Sequence, residues 1–208
     1  MVRMVLRVLG FELKGLAGIG LWVLRRRHGV PDGAVAVPYA KEQAFTLGLM
    51  GFAMAVETVV VDLLLVALGV PGWVRYPVLV GDVYGLAFAL MTAATCATRP
   101  HVVTGGELRV RYGAYLDVRV PRERIAAVRT TRDDNAQRLV SLEDGHLRVA
   151  VGSRTNVSVE LAGPVAFTRP LGRRGEATRI TFFADDPEAA VAALRHGTPA
   201  RGLLDPAR

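Results

Sequence analysis

The longest apolar stretch of the chain, AFTLGLMGFAMAVETVVVDLLLVALGV, runs from Ala44 to Val70. A helix needs roughly 20 residues to cross a hydrocarbon core, so this run is long enough with some tilt. Pro71 and Gly72 stop it. A second run, PVLVGDVYGLAFALMTAATCAT, extends from Pro77 to Thr98 and ends at Arg99, Pro100 and His101. The connection over 71–76 is short, which predicts two antiparallel neighbouring helices over 44–70 and 77–98. Trp73 and Tyr76 in that connection suit a headgroup zone. The alternative is a pair of core helices in a soluble protein.

After Arg99 the period changes. Leu108, Val110 and Tyr112 alternate with Arg109 and Arg111, then Leu116, Val118 and Val120 alternate with Asp117 and Arg119. This is the two-residue rhythm of half-buried strands, with Gly113 to Tyr115 as the turn of a hairpin. Further strands are expected over 125–130, 139–142, 147–151, 157–161, 165–168 and 179–183. Turn chemistry separates them at Asp133-Asp134-Asn135, Asp144-Gly145, Gly163-Pro164 and Gly172 to Gly175. Asp185-Asp186-Pro187-Glu188 then opens a helix over 186–196, with an acid as cap and proline in the first turn.

Residues 1–43 read as a helix and a linker. At 100° per residue, Arg3, Arg7, Lys14 and Arg25 fall within about 40° of one another. Val5, Leu6, Leu9, Leu13, Leu16 and Trp22 supply apolar surface elsewhere. The pattern predicts an amphipathic helix lying in the membrane interface, with a third crossing as the alternative. Nothing resembles a cleavable signal. Val30 to Val37, with Pro31, Asp32 and Gly33, reads as linker.

Charge brackets the apolar centre. Residues 44–98 hold three acids, Glu57, Asp62 and Asp82, and one base, Arg75. Residues 1–43 carry a net +4 and residues 99–208 a net +5. Arg25, Arg26, Arg27 and Lys41 precede the first span, and Arg99, Arg109 and Arg111 follow the second. The positive-inside rule therefore places the flanks, and both termini, in the cytoplasm of a multi-pass inner or plasma membrane protein. No dense basic run with interleaved aromatics appears, so no nucleic-acid partner is expected. With Cys96 alone, neither an internal disulfide nor a cysteine-based zinc site can form.

The most informative polar residues are the acids inside the apolar runs. A charge at the bilayer centre costs about 2.5 to 3.5 kcal/mol, so such groups face protein or water. Glu57, Asp62 and Asp82, with Tyr84 as hydrogen-bond partner, form a candidate proton or cation relay; helix-to-helix or subunit-to-subunit adhesion is the bland reading. Arg25, Arg26 and Arg27 beside the membrane, and Arg173 and Arg174 in a Gly-rich turn, are candidate contacts for anionic lipid. Topology determination and a solvated loop are the corresponding alternatives. His28, His101, His146 and His196 lack metal-ligand spacing, and Ser141, Ser153 and Ser158 lack a nucleophile setting. No catalytic, metal or cofactor constellation is expected.

Two segments resemble a known family. GELRVRYGAYLDVRVPRERIAAV (Gly106 to Val128) is similar to the opening hairpin of bacterial pleckstrin-homology-like domains. VSVELAGPVAFTRPLGRRGEATRITFFADDPEAAVAAL (Val157 to Leu194) resembles the closing part of actinobacterial membrane proteins of this type. The resemblance implies a β-sandwich or open barrel capped by a C-terminal helix and attached to the membrane; it carries over no catalytic residues.

The expected organisation is an α+β membrane protein: an interfacial helix and linker over 1–43, a transmembrane hairpin over 44–98, and a cytoplasmic pleckstrin-homology-like domain over 99–208. The expected role is a non-enzymatic, membrane-anchored interaction or scaffold protein. Its partners would be the lipid bilayer, a membrane or cytoplasmic protein, or a second copy in a homo-oligomer. An oligomeric small transporter or channel subunit, using the intramembrane acids, is the alternative.

Overall fold

Apolar runs of spanning length and alternating strands meet in one mixed α and β fold. A computed structural model describes residues 2–169 and 172–196. In chain order come α1 (Val2–Val23), β1 (Val35–Val37), α2 (Lys41–Ala67), α3 (Gly72–Thr98), β2 (His101–Val103), β3 (Glu107–Tyr112) and β4 (Leu116–Pro121). A 3-10 turn (Arg122–Arg124) leads to β5 (Ile125–Asp133), β6 (Val140–Glu143), β7 (His146–Val149), β8 (Thr155–Thr168), β9 (Arg174–Phe182) and α4 (Pro187–His196).

The two long helices begin earlier than the apolar runs predict, and the turn between them is tighter. Gly69 takes φ +67, and the chain closes α2 with Val70 N–H donating to Leu65 O and Gly69 N–H to Val66 O. This is a Schellman stop, in which glycine supplies the left-handed residue without steric cost. Pro71 then becomes the N-cap of α3. Each helix is long and apolar enough to cross a membrane. No residue of α2 is buried, and Phe45, Phe52, Leu63, Trp73 and Val80 all stand open. A helix of this composition in a water-soluble core would be covered; a bare one fits lipid.

The strands form two sheets, ordered β1-β2-β3-β4 and β5-β8-β9-β7-β6, which do not close into a barrel. Alternation holds through β4, where Leu116, Val118 and Val120 point inward. Asp144 and Gly145, at φ +49 and +74, make the two-residue turn between β6 and β7. Three differences from the sequence pattern have local causes. Val35–Val37, read as linker, pairs antiparallel with β2. Gly163-Pro164 does not separate two strands but sits in an irregularity inside the long β8, the setting that tolerates a proline without an N–H. Finally, β7 runs parallel to β9, with Leu147 opposite Ile180. The core includes Val110, Val118, Val159 and Phe182 from the sheets, with Ala190 and Leu194 of α4 closing one side.

Two contacts join the start of α2 to loop residues that flank β8 and β9. Lys41 N–H, in the first turn of α2, donates to the Asp185 carboxylate at 3.2 Å, and Arg154 pairs with Glu42 at 2.6 Å. Asp186 Oδ1 caps α4 by accepting from Ala189 N–H at 2.9 Å. The adjacent acids read as one helix cap therefore serve two helices. Tyr39, fully buried, stacks on His101 with centroids 4.5 Å apart, and its hydroxyl accepts from Gly113 N–H at 2.7 Å.

α1 lies alongside α3. Tyr84 OH donates to Glu12 at 2.7 Å; a Cβ on Gly15 would meet Met91, one on Gly18 would meet Thr95, and His28 N–H donates to Thr98 O. Both sets of positions rise together along the chain, so α1 and α3 run parallel, packed through small residues. Contact extends from Glu12 to the end of α1, while the helices long and apolar enough to cross a membrane, among the described residues, are α2 and α3. The side chains of Arg3 and Arg7, half of the expected cationic stripe, lie outside the described residues, as do residues 197–208.

Candidate functional site

Antiparallel helices joined by a four-residue turn bring residues nearly equidistant from Gly69 face to face. Arg75 Nε and Nη2 thereby donate to the two Asp62 carboxylate oxygens, at 2.6 and 2.8 Å. The pair lies toward the turn end, since Asp62 is about 8 Å inside the end of α2 at 1.5 Å per residue. Deeper along the same seam, Gly85 of α3 meets Met54 of α2. The expected relay is thus divided. Asp62 is joined to Arg75 rather than to Asp82, and Tyr84 serves Glu12 on α1. Asp82 is half-buried and Glu57 is exposed on the flank of α2; among the described residues neither forms a hydrogen bond or ion pair. Glu57 stands near the middle of a 27-residue helix, where an uncovered carboxyl is least compatible with hydrocarbon.

A second polar centre lies where the other ends of α1 and α3 meet the sheets. A cleft of about 480 Å³ is lined by Trp22, Arg25, Arg26, Arg27, Ala97 and Thr98. All three arginines are exposed, and among the described residues no carboxylate pairs with them. Arg111, expected on the outer face of β3, is instead buried at 3% exposure and donates to His28 O at 2.9 Å and Gly29 O at 3.0 Å. It shares Asp117 with Arg109. Arg99 is the residue after α3, and its Nε is buried with no partner among the described residues. Burial, reinforced by Arg99, Arg111 and Arg109, holds the His28 imidazole below its ordinary range.

His101 is a structural residue. Its Nδ1 accepts from Arg111 N–H at 2.9 Å and its Nε2 donates to Phe183 O at 2.9 Å, so both ring nitrogens are used by backbone. Complete burial pushes its pKa down to about 4. Arg173, in the connection between β8 and β9, and Arg174, the first residue of β9, are exposed and away from the cleft lining. Among the described residues no three side chains of His, Cys, Asp and Glu gather into a metal-ligating group.

Sequence reading missed four members of these centres: Glu12, Arg75 as an ion-pair partner, Arg99 and Arg111. Reflecting the two apolar runs about Gly69 would have placed Arg75 within one residue of Asp62. No local signal marks Arg111, whose burial depends on the 28–29 backbone folding over it. Comparison with known protein families, curated proteins and solved structures returns no match.

Proposed function

We propose that this chain is an integral membrane subunit that assembles with further copies of itself through α2, and that the intramembrane acids serve transport or channel function in that assembly. The observation that carries this reading is Glu57, a mid-helix carboxyl on an exposed flank with no partner among the described residues. Two or three helices cannot enclose a path alone, so the carboxyl needs neighbours. The Asp62–Arg75 pair closes the turn end of each hairpin and leaves Glu57 and Asp82 as the unengaged acids. Because α1 parallels α3, we read it as a third crossing that puts Val2 on the side of the 68–71 turn, with the sheets in the cytoplasm.

A second reading rests on the sheets. Their contacts with the start of α2, through Asp185 and Arg154, suit a membrane-anchored scaffold of the bacterial pleckstrin-homology-like type, whose cytoplasmic domain binds a protein or the adjacent leaflet. The two readings part on one experiment. The full-length chain is purified in mild detergent, its mass in the micelle is measured, and cation or proton flux is followed in proteoliposomes. Oligomers whose flux falls in Glu57→Gln and Asp82→Asn support the first. A monomer without flux leaves only the scaffold.

A further inference from the structure

The end of α1 contains an anomaly. Arg26 N–H donates to Leu21 O and Arg25 N–H to Trp22 O, the same Schellman stop that ends α2. At α2 the left-handed residue is Gly69; at α1 it is Arg25, with φ +52. A side chain in that conformation is strained where glycine is not, and such strain concentrates at functional sites. The strained residue lines the cleft between α1 and α3, next to Arg26 and Arg27. The cleft is split in character: Trp22 and Ala97 offer apolar surface, and the three guanidiniums offer charge.

The junction around it is strongly basic. Arg25, Arg26, Arg27, Arg99, Arg109 and Arg111 converge there, and the described ion pairs supply one carboxylate, Asp117, already engaged by Arg109 and Arg111. The buried Arg99 Nε has no partner among the described residues. His28 responds to the same field, since three of these arginines disfavour its protonation. A cluster of this kind, at the end of two lipid-facing helices, is complementary to a phosphate that carries an apolar tail.

We propose that the cleft between the ends of α1 and α3 binds the phosphate headgroup of an anionic lipid, with Arg25, Arg26 and Arg27 on the phosphate and Trp22 against the glycerol and upper acyl region. The site rests on the reading that α2 and α3 cross the bilayer. It gives the arginines a role beyond topology: the lipid holds α1 to α3 at the level where the sheets begin.

Native mass spectrometry of the full-length chain, in mild detergent with equal phosphatidylglycerol and phosphatidylcholine, tests it. Phosphatidylglycerol is expected to be retained in preference. Arg25→Gly and Arg27→Gln should each lower that preference about fivefold. Arg25→Gly should at the same time melt higher in phosphatidylcholine, because it relieves the backbone strain, so loss of folding cannot mimic loss of binding. Excess inorganic phosphate should not displace the lipid; displacement would make this a free-anion site and overturn the lipid assignment. Equal retention of the two lipids by the wild-type chain overturns the proposal without any variant. If the chain is instead recovered from a detergent-free, high-speed supernatant, the membrane reading itself falls; membrane-extracted protein without lipid preference sinks the headgroup site alone.

Discussion

Asp62 and Arg75 lie on opposite helices of the hairpin and meet through two parallel hydrogen bonds, each carboxylate oxygen taking one guanidinium N–H. A fork-to-fork pair fixes both the rotation and the height of one helix against the other. Removing one partner strands a charge in an apolar setting, whereas removing both does not. Asp62→Asn and Arg75→Gln should each lower the melting temperature in detergent more than the double replacement does. A double-mutant cycle that is additive would show the pair to be uncoupled.

The complete burial of His101 supplies a pH dependence. An imidazole with a folded pKa of about 4 and an unfolded value near 6.5 binds fewer protons when folded. Its contribution is complete above pH 6.5 and is lost as pH falls through the window from 6.5 to 4, by about 3 kcal/mol in total. Thermal melts of the full-length chain across that window should show the loss, and His101→Gln should flatten it. A wild-type profile identical to that of the variant would mean that other groups titrate.

Gly15 and Gly18 let α1 approach α3. A Cβ at Gly18 would lie 2.5 Å from Thr95 Cγ2, and one at Gly15 would lie 2.7 Å from Met91 Sδ. Gly18→Val should destabilise the contact by about 1 to 3 kcal/mol, the usual range for overpacking. Its readout is disulfide formation between cysteines placed at Glu12 and Tyr84, which should be efficient in the parent and fall in the Gly18→Val background.

The parallel course of α1 sets its direction of travel. Gly15 sits beside Met91, so Val2 lies about 20 Å nearer the turn end, counting 1.5 Å per residue. Cysteine at Val2, in a Cys96→Ala chain, should react with a membrane-impermeant thiol reagent from the side that labels a cysteine at Gly72. Labelling from the side of the sheets would instead support the interfacial helix.

Asp185 and Asp186 predict separable effects. Each cap is worth about 1 kcal/mol. Asp185→Ala should raise amide hydrogen exchange at the start of α2, and Asp186→Ala at the start of α4. Exchange that rises at both sites in either variant would merge the two caps into one unit.

Much of this architecture was readable from local pattern. The spanning-length helices follow from apolar runs, β3 and β4 from strict alternation, the β6–β7 turn from Asp144-Gly145, and α4 from its acid and proline start. What escaped depends on contacts distant in sequence. Val35–Val37 is too short to announce itself and becomes a strand only because β2 offers an edge. The bulge at Gly163-Pro164 is held by β9, not by its own residues. The basic flank was legible as charge, but its conversion into a cleft required α1 to stop beside Thr98. Glu57 and Asp82 were visible as misplaced acids; that they stay apart from Asp62 follows from a helix rotation that composition does not encode.

The attachment of α2 through Asp185 and Arg154, and of α3 through the segment running straight into β2, has a mechanical consequence. On the reading that α2 crosses a bilayer, a thinner bilayer would make this 27-residue helix lean further to keep its apolar length covered, and these links would pass the change of angle on to the sheets.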